Sequence, residues 1–342
     1  MRRVAILKPD DLGDLVLAMP AIRRLASAYP ECTLFCSPYT RGLAAFLFPG
    51  LRLAEISFPH LLKTGQHPPV PGFPGDYDLV VCLRADAHME PWLRSRVKVP
   101  YLLAAEDPQT HETAMQRRIV EKVAGHYSRS AGFGLGRKPA YDPNPARVGL
   151  SVAAGFSANK WPAELWMRLA RMLEKSGREV FLVGGPRELG EIRLLGALLR
   201  LPQARHIVGG ADFAAFQAGV AALDLVIATD SGSAHLCSLS APVLSIFGPS
   251  PYRRFAPFGA HNRVLTRDLS CSPCTQFDRS LLNLCVSREC INTIPPAAVL
   301  EAISLSSGEP GVQALGYGNL KVVRGASHLH RGNAMVREAA RG

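Results

Sequence analysis

The sequence lacks the features that would mark a membrane, secreted or nucleic-acid-binding protein. Its 342 residues contain no apolar run of about 18 residues, so no membrane-spanning helix is expected. The N-terminal MRRVAILKPDD has only four consecutive apolar residues before a lysine and two acids, which argues against a signal peptide. Basic and aromatic residues are not interleaved as they are in single-strand binders. We therefore expect a cytoplasmic protein with no nucleic-acid partner.

Acidic residues are also scarce. The chain has 28 Asp and Glu against 39 Lys and Arg, which gives a net charge of +11. A basic surface attracts nucleic acid, phosphorylated small molecules or an anionic membrane. With nucleic acid set aside, the charge predicts an anionic substrate or peripheral contact with the inner membrane.

Strand-like and helix-like segments alternate through two similar halves. Buried strands are predicted at VAILK, CTLFCS, DYDLVVCLR, RVGLSVAA, REVFLVGG, HIVGG, DLVIATD and APVLSIFG. Such alternation predicts βαβ units and parallel sheets, here two Rossmann-like α/β domains facing across a cleft with ligands at the carboxyl ends of the strands. We predict domains at 1–145 and 146–304, joined by a Gly- and Pro-rich linker, and a tail at 305–342 of unpredicted structure.

The first strand-to-helix loop, in KPDDLGDLVLAMPAIRRL, carries three aspartates. Asp10 and Asp11 precede the glycine, where short acids shape a loop or cap a helix. Asp14 follows Gly13 at the start of a helix predicted to run to Ala28. The helix dipole there predicts a lowered pKa and an ionised Asp14.

The loop AAGFSANKWPAELW opens a helix predicted from Pro162 to Ser176 and carries Lys160 just before it. The helix dipole disfavours a cation at this end, so Lys160 is predicted to face an anion such as a phosphate. An exposed surface lysine is the alternative.

A second loop, in ATDSGSAHLCSLSAP, follows a buried strand. Asp230 ends the strand, Ser231 and Gly232 form a tight turn, and the free N–H groups of the next helix form an anion site that His235 could join. The alternative makes Asp230 an N-cap and His235 a half-buried surface residue. In VGGPRELGE, Glu188 is suited either to ribose hydroxyls or to a helix start.

Four cysteines have the spacing C-x2-C-x10-C-x4-C: Cys271, Cys274, Cys285 and Cys290. In a reducing cytosol this spacing favours a tetrathiolate site for zinc or iron. Free thiols, or disulfides formed on oxidation, are the alternatives. No open ligand position is evident, so any metal is predicted to be structural.

Several of these segments together resemble glycosyltransferase family 9, the ADP-heptose:lipopolysaccharide heptosyltransferases. They are ILKPDDLGDLVLAMPAIRRLASAYP, DYDLVVCLR, SANKWPAELWMRLARML, FLVGGPRE and ATDSGSAHLCSLSAPVLSIFGPSP, across about residues 4–251. The resemblance implies a glycosyltransferase B-type fold and an inverting transfer that requires no metal cofactor. It also implies ADP-heptose as donor and an anionic glycan or lipid acceptor.

The resemblance also implies roles for individual residues. It makes Asp14 the base that deprotonates the acceptor and Lys160 the group that stabilises the departing diphosphate. It assigns the diphosphate to Asp230, Ser231, Gly232 and His235, and the nucleoside to Glu188. It places His111 and Glu112 near the acceptor, because relatives have an acceptor-side helix at this position; a structural histidine at the helix start is the alternative.

One departure leaves the donor open. Many relatives carry a Thr pair before the phosphate lysine, whereas AAGFSAN offers only Ser157 as a hydroxyl to the nucleotide sugar. A different sugar nucleotide, or a protein or secondary-metabolite acceptor, therefore remains an alternative. A non-catalytic nucleotide-sugar-binding module is a third reading, against which the presence of both Asp14 and Lys160 argues.

Overall fold

The computed structural model describes residues 2–57, 76–84, 89–104, 107, 109–129, 133–135, 140–152, 154–210, 212–274, 285–306, 311–325 and 336–339. The chain divides into two compact units. The N-terminal unit comprises Met1–Phe133 and Arg331–Gly342, and the C-terminal unit comprises Gly134–His330. The sequence-based boundary lies at 145/146, within the segment read as a linker.

The described strands are β1 (Val4–Lys8), β2 (Thr33–Cys36), β3 (Arg52–Glu55), β4 (Leu79–Cys82), β5 (Tyr101–Ala104), β6 (Arg147–Ser151), β7 (Glu179–Gly184), β8 (His206–Val208), β9 (Leu225–Thr229), β10 (Val243–Phe247), β11 (Arg263–Arg267), β12 (Gly311–Ala314), β13 (Leu320–Arg324) and β14 (Val336–Ala339). The described α-helices are α1 (Leu12–Leu17), α2 (Met19–Ala28), α3 (Arg41–Leu47), α4 (Met89–Arg96), α5 (Glu112–Ala124), α6 (Ala163–Lys175), α7 (Leu189–Leu199), α8 (Phe213–Ala221), α9 (Gly232–Cys237), α10 (Tyr252–Phe255), α11 (Glu289–Asn292) and α12 (Pro296–Ser304). None of these described helices is long and apolar enough to cross a bilayer.

The N-terminal unit is built on a sheet of order β14-β5-β4-β1-β2-β3, parallel except for β14. β1 lies between β2 and β4 and is buried along its whole length, as expected for an apolar strand of a covered parallel sheet. Strand order reverses at β1 and β4, which makes their carboxyl ends the switch point where such sheets bind ligands.

The helix predicted from Asp14 to Ala28 forms two helices, α1 and α2, that meet at Ala18. Pro20 has no N–H and cannot donate to the carbonyl four residues earlier, so a continuous helix would lose a hydrogen bond here. α1 is therefore only six residues long.

The C-terminal unit has an eight-stranded sheet of order β12-β13-β11-β10-β9-β6-β7-β8. The six strands β6 to β11 are parallel, and the switch point of this sheet lies between β6 and β9. At one edge, β13 pairs antiparallel with β11 and β12 pairs antiparallel with β13. α6 buries Trp166, Leu169, Ala170 and Leu173, the three- and four-residue spacing of one helical face. The fold class predicted from the sequence, α/β with two Rossmann-like domains, is confirmed.

The tail supplies strands to both sheets. β12 and β13 extend the C-terminal sheet, whereas β14 pairs with β5 in the N-terminal unit. No prediction was possible for these strands because they are short and separated by Gly-rich segments.

Candidate active site

A buried group of charges lies at the switch point of the N-terminal unit. Lys8 ends β1 with a side chain that is 1% exposed. Its Nζ lies 3.0 Å from Asp10 Oδ2 and 3.7 Å from Glu112 Oε1, and it donates to the Leu83 carbonyl at 3.1 Å. Burial opposes the charge of Lys8, but the carboxylates of Asp10, Glu112 and Asp14 outweigh it and raise the pKa of Lys8 above its ordinary value.

Arg84, two residues beyond β4, joins this group through an ion pair with Asp10. Gln116, one turn along α5, donates to Glu112 Oε1 at 3.4 Å. Sequence reasoning missed Lys8 and Arg84. The available signal was a charged residue at or just after the end of each apolar strand, VAILK and LVVCLR.

Asp14 stands in the first turn of α1, half-buried beside this group. Burial raises the pKa of Asp14 to about 7, with Asp10 and Glu112 adding to the rise and Lys8 and Arg84 opposing it. The expectation that the helix dipole lowers this pKa is wrong. The dipole of a six-residue helix is too small to offset burial among other carboxylates.

The neighbouring aspartates differ from one another. Asp11 is exposed and occupies the N-cap position of α1, but its side chain makes no capping hydrogen bond. Asp10 is buried and belongs to the ionic group described above rather than to a helix cap.

His111, predicted on the acceptor side, is fully buried at 0% exposure. It is the N-cap of α5: its Nδ1 accepts from the Thr113 N–H at 3.3 Å and lies 2.9 Å from Thr113 Oγ1. The structure therefore gives His111 a structural role, the alternative weighed for a histidine at a helix start.

In the C-terminal unit, Asp230 follows β9 and accepts a hydrogen bond from the side-chain amide of Asn159. Asn159 Nδ2 donates to Asp230 Oδ2 at 3.0 Å and lies 3.0 Å from Ser250 Oγ. Burial raises the pKa of Asp230 to about 6, against the hydrogen bonds from Ser250 and Asn159. Asp230 is not the N-cap of α9, because Ser231 occupies that position and its Oγ accepts from the Ala234 N–H at 3.2 Å.

His235 is buried within α9, which begins at Gly232, so His235 is not a surface histidine. Burial lowers the pKa of His235 to about 4, so its ring is neutral at physiological pH. Within the described part of the chain, its buried Nδ1 has no hydrogen-bond partner. The ring thus keeps one nitrogen available for a further hydrogen bond.

Lys160 is 46% exposed and forms an ion pair with Glu191 in the first turn of α7. The anion it faces here is a carboxylate. Ser157, also exposed, begins a short 3-10 turn that ends just before Lys160. Glu188 lies in the short 3-10 turn before α7, and its Oε2 accepts a hydrogen bond from the Gly185 N–H at 2.8 Å. This contact is the helix-start role that the sequence predicted as the alternative to a ribose contact.

Two cysteines of the C-x2-C-x10-C-x4-C motif, Cys274 and Cys290, have thiol pKa values raised by burial and by the neighbouring thiols of the motif. Burial raises the pKa of Cys290 to about 12, and Cys274, Cys285 and Cys271 add to the rise. Four thiols suit zinc or iron by donor type. In the described residues, however, no three His, Cys, Asp or Glu side chains are arranged to hold a metal ion. The metal assignment stays a prediction.

Comparison with known proteins identifies the family of the chain. The family model for glycosyltransferase family 9 (heptosyltransferase) matches residues 93–284, more than half of the chain. Lipopolysaccharide heptosyltransferase 1 of Pseudomonas aeruginosa is 28% identical over 192 residues. That alignment covers 51% of this chain and 53% of the relative, so the chain matches about half the length of this curated protein.

Solved structures show the same fold. A family 9 glycosyltransferase from Veillonella parvula matches with a TM-score of 0.64 at 17% identity, covering 88% of this chain and 95% of that one. E. coli heptosyltransferase WaaC with ADP matches with a TM-score of 0.59 at 17% identity, covering 88% and 98%. TibC, an iron-containing dodecameric glycosyltransferase of enterotoxigenic E. coli, matches with a TM-score of 0.55 at 14% identity, covering 88% and 74%. The chain belongs to glycosyltransferase family 9.

Proposed function

We propose that the protein transfers a heptose from ADP-heptose to a hydroxyl of a lipopolysaccharide core or related glycan, with inversion at the anomeric carbon. In such a single displacement the acceptor oxygen attacks as the nucleoside diphosphate leaves, and a base must take the acceptor proton. Asp14 is that base in our proposal. The observation that carries it is the position of Asp14 in the first turn of α1, beside the buried charges of Lys8, Asp10 and Glu112 at the switch point. The pKa of about 7 that this setting gives Asp14 supports the role, because a general base works best when its pKa lies near the working pH.

The leaving diphosphate needs positive charge or N–H donors, which we assign to the C-terminal unit. Lys160 is the cation in this assignment. Its pair with Glu191 is exposed on both sides, so releasing Lys160 to a diphosphate costs at most about 1 kcal/mol. Ser231, Gly232 and the free nitrogen of His235 supply uncharged contacts, and Ser157 and Glu188 contact the rest of the nucleotide sugar. With Lys160 in this role, the transfer requires no catalytic metal.

The family and the names of the relatives support this donor. The P. aeruginosa relative is a lipopolysaccharide heptosyltransferase, and E. coli WaaC has been solved with ADP and with ADP-2-deoxy-2-fluoro heptose. The net charge of +11 suits an anionic acceptor displayed at the cytoplasmic face of the inner membrane. In this proposal the N-terminal unit binds the acceptor and the C-terminal unit binds the donor.

A donor screen tests the proposal: ADP-heptose, ADP-glucose and UDP- and GDP-sugars are compared by nucleotide release and by thermal stabilisation. We expect ADP-heptose to give the fastest release with a lipopolysaccharide-core acceptor. Nucleotide release and stabilisation with UDP-sugars but not with ADP-heptose would favour the alternative that the donor is a different sugar nucleotide. Binding without turnover under any donor and acceptor would select a non-catalytic module.

Asp14→Asn provides the matched test of the base. We expect it to abolish transfer while ADP binding persists, because the proposed base belongs to the acceptor side. Asp11→Asn is the control, since Asp11 is exposed and makes no capping bond. Full activity in Asp14→Asn would refute the assignment.

For the cysteine motif we propose a structural zinc or iron bound by Cys271, Cys274, Cys285 and Cys290. The four-thiol donor set supports it, as does the iron-containing TibC. Elemental analysis of the purified protein tests it: about one metal per chain is expected, and a metal-free, fully folded protein would refute it.

A further inference from the structure

The segment that carries the cysteines makes several contacts with loops of the proposed donor site. We call residues 271–274 and 285–294 the cysteine segment, and residues 157–160 the donor loop. All of these residues lie in the C-terminal unit and in the described part of the chain.

Arg288 makes the first contact. It occupies the N-cap position of α11, and one guanidinium nitrogen donates to the Ser157 carbonyl of the donor loop at 2.9 Å. The backbone of Arg288 is left-handed, with φ 45° and ψ 43°. This conformation disfavours a residue with a Cβ, whereas glycine adopts it freely. Backbone strain of this kind clusters at functional sites, which makes the Arg288 side chain a candidate for a functional contact.

The second set of contacts holds the loop after β10. Ser272 Oγ donates to the Gly248 carbonyl at 2.8 Å, and the Cys274 N–H donates to the Pro249 carbonyl at 3.1 Å. The next residue, Ser250, is hydrogen-bonded to Asp230 and Asn159. The cysteine segment therefore holds the loop that carries Ser250, one of the two residues hydrogen-bonded to Asp230.

Close packing also holds the cysteine segment against the loop after β10. A Cβ on Gly248 would lie 2.8 Å from Ile291 Cβ and 3.4 Å from Cys290 Sγ, so α11 rests directly on the strand end. Trp161, which follows the donor loop, donates from its indole nitrogen to the Ile294 carbonyl at 3.1 Å. The donor loop is thus held on one side by Arg288 and on the other by this indole bond.

We propose that Arg288 is a positioning residue: it fixes the donor loop so that Lys160 meets the diphosphate and Ser157 meets the rest of the nucleotide sugar. This inference rests on the proposed function, and it gives the cysteine segment a role in donor affinity beyond the stability of the unit. The arginine acts through the Ser157 carbonyl and does not itself contact the reacting atoms.

The test compares Arg288→Gly with Arg200→Gly. Among the described residues these are the two non-glycine positions with positive φ, and Arg200 lies exposed at the end of α7. Both variants lose one positive charge and one left-handed arginine. Binding of ADP is measured by calorimetry, the unfolding midpoint by thermal scan, and KM and kcat with a responsive donor and acceptor.

We expect Arg288→Gly to weaken ADP binding about three- to tenfold, the worth of one lost hydrogen bond. Donor KM rises to a similar extent, while acceptor KM and the unfolding midpoint match those of Arg200→Gly. Arg288→Lys recovers part of the affinity, because its ammonium can donate to the same carbonyl.

Two results overturn the inference. In one, Arg288→Gly binds ADP as tightly as the wild-type protein does. In the other, its loss of affinity comes with a drop in unfolding midpoint that Arg200→Gly lacks, which indicates a general structural role. A wild-type protein that binds neither ADP nor UDP would instead refute the proposed donor site itself.

Discussion

The raised pKa of Asp14 predicts a steep dependence of transfer on pH. With a pKa of about 7, the ionised fraction of Asp14 rises from about one tenth at pH 6 to about nine tenths at pH 8. Because only the ionised form accepts a proton, kcat/KM for the acceptor should rise about tenfold over this interval. The assay is nucleotide release at low acceptor concentration, buffered from pH 5 to pH 9. A profile that is flat from pH 5 upward, as an ordinary aspartate would give, refutes the reasoning.

A second variant tests the cause of the shift. Glu112 is one of the carboxylates that raise the pKa of Asp14, so Glu112→Gln should move the midpoint of the profile to lower pH. Glu121→Gln, on the same helix, removes a partner of Arg117 and should leave the midpoint unchanged. Equal profiles for the two variants would mean that Glu112 does not act on the base.

Three further predictions follow from the same contacts. Lys160→Ala should lower kcat strongly while the free energy of unfolding changes by less than about 1 kcal/mol, since its ion pair is exposed; Glu191→Gln is the control that should retain activity. Lys8→Met should destabilise the N-terminal unit by about 3–5 kcal/mol in denaturant titrations at pH 7.5, because it leaves buried carboxylates without their cation. The loss should be smaller at pH 5.5, where Asp14, with a pKa of about 7, is protonated and no longer interacts with that cation as a carboxylate. His111→Ala should cost about 1–3 kcal/mol of stability with kcat unchanged below the unfolding transition, and an undiminished stability with a lower kcat would restore its acceptor-side role.

Much of the fold was predictable because its signals are local. Apolar strands alternating with amphipathic helices predicted two Rossmann-like domains, and the helix predicted from Pro162 to Ser176 is observed as α6, Ala163–Lys175. Short motifs such as DSGSAH sufficed to identify the family. Strands β12 to β14 were not predictable, because they are short and because β13 and β14 pair with strands far away in the chain.

The properties of the candidate site depended on the tertiary structure. The sequence alone singled out Asp14 from its two neighbours, but it predicted the wrong direction for its pKa. The local dipole is visible in the sequence, whereas the burial and the charge of Glu112 are not. Likewise, the motif that contains Lys160 predicted an anion partner, and only the folded chain identified Glu191 as the carboxylate it meets.

The sequence by itself therefore determined the fold class and the family, and it supplied the candidate site residues on which our proposals rest. Only the tertiary structure decided their protonation and support: Lys8 reaches the Leu83 carbonyl across 75 positions, and Arg288 reaches the Ser157 carbonyl across 131. The reason is physical. Propensity and periodicity act over a few residues, whereas burial and charge act through space between segments whose separation in the chain carries no signal.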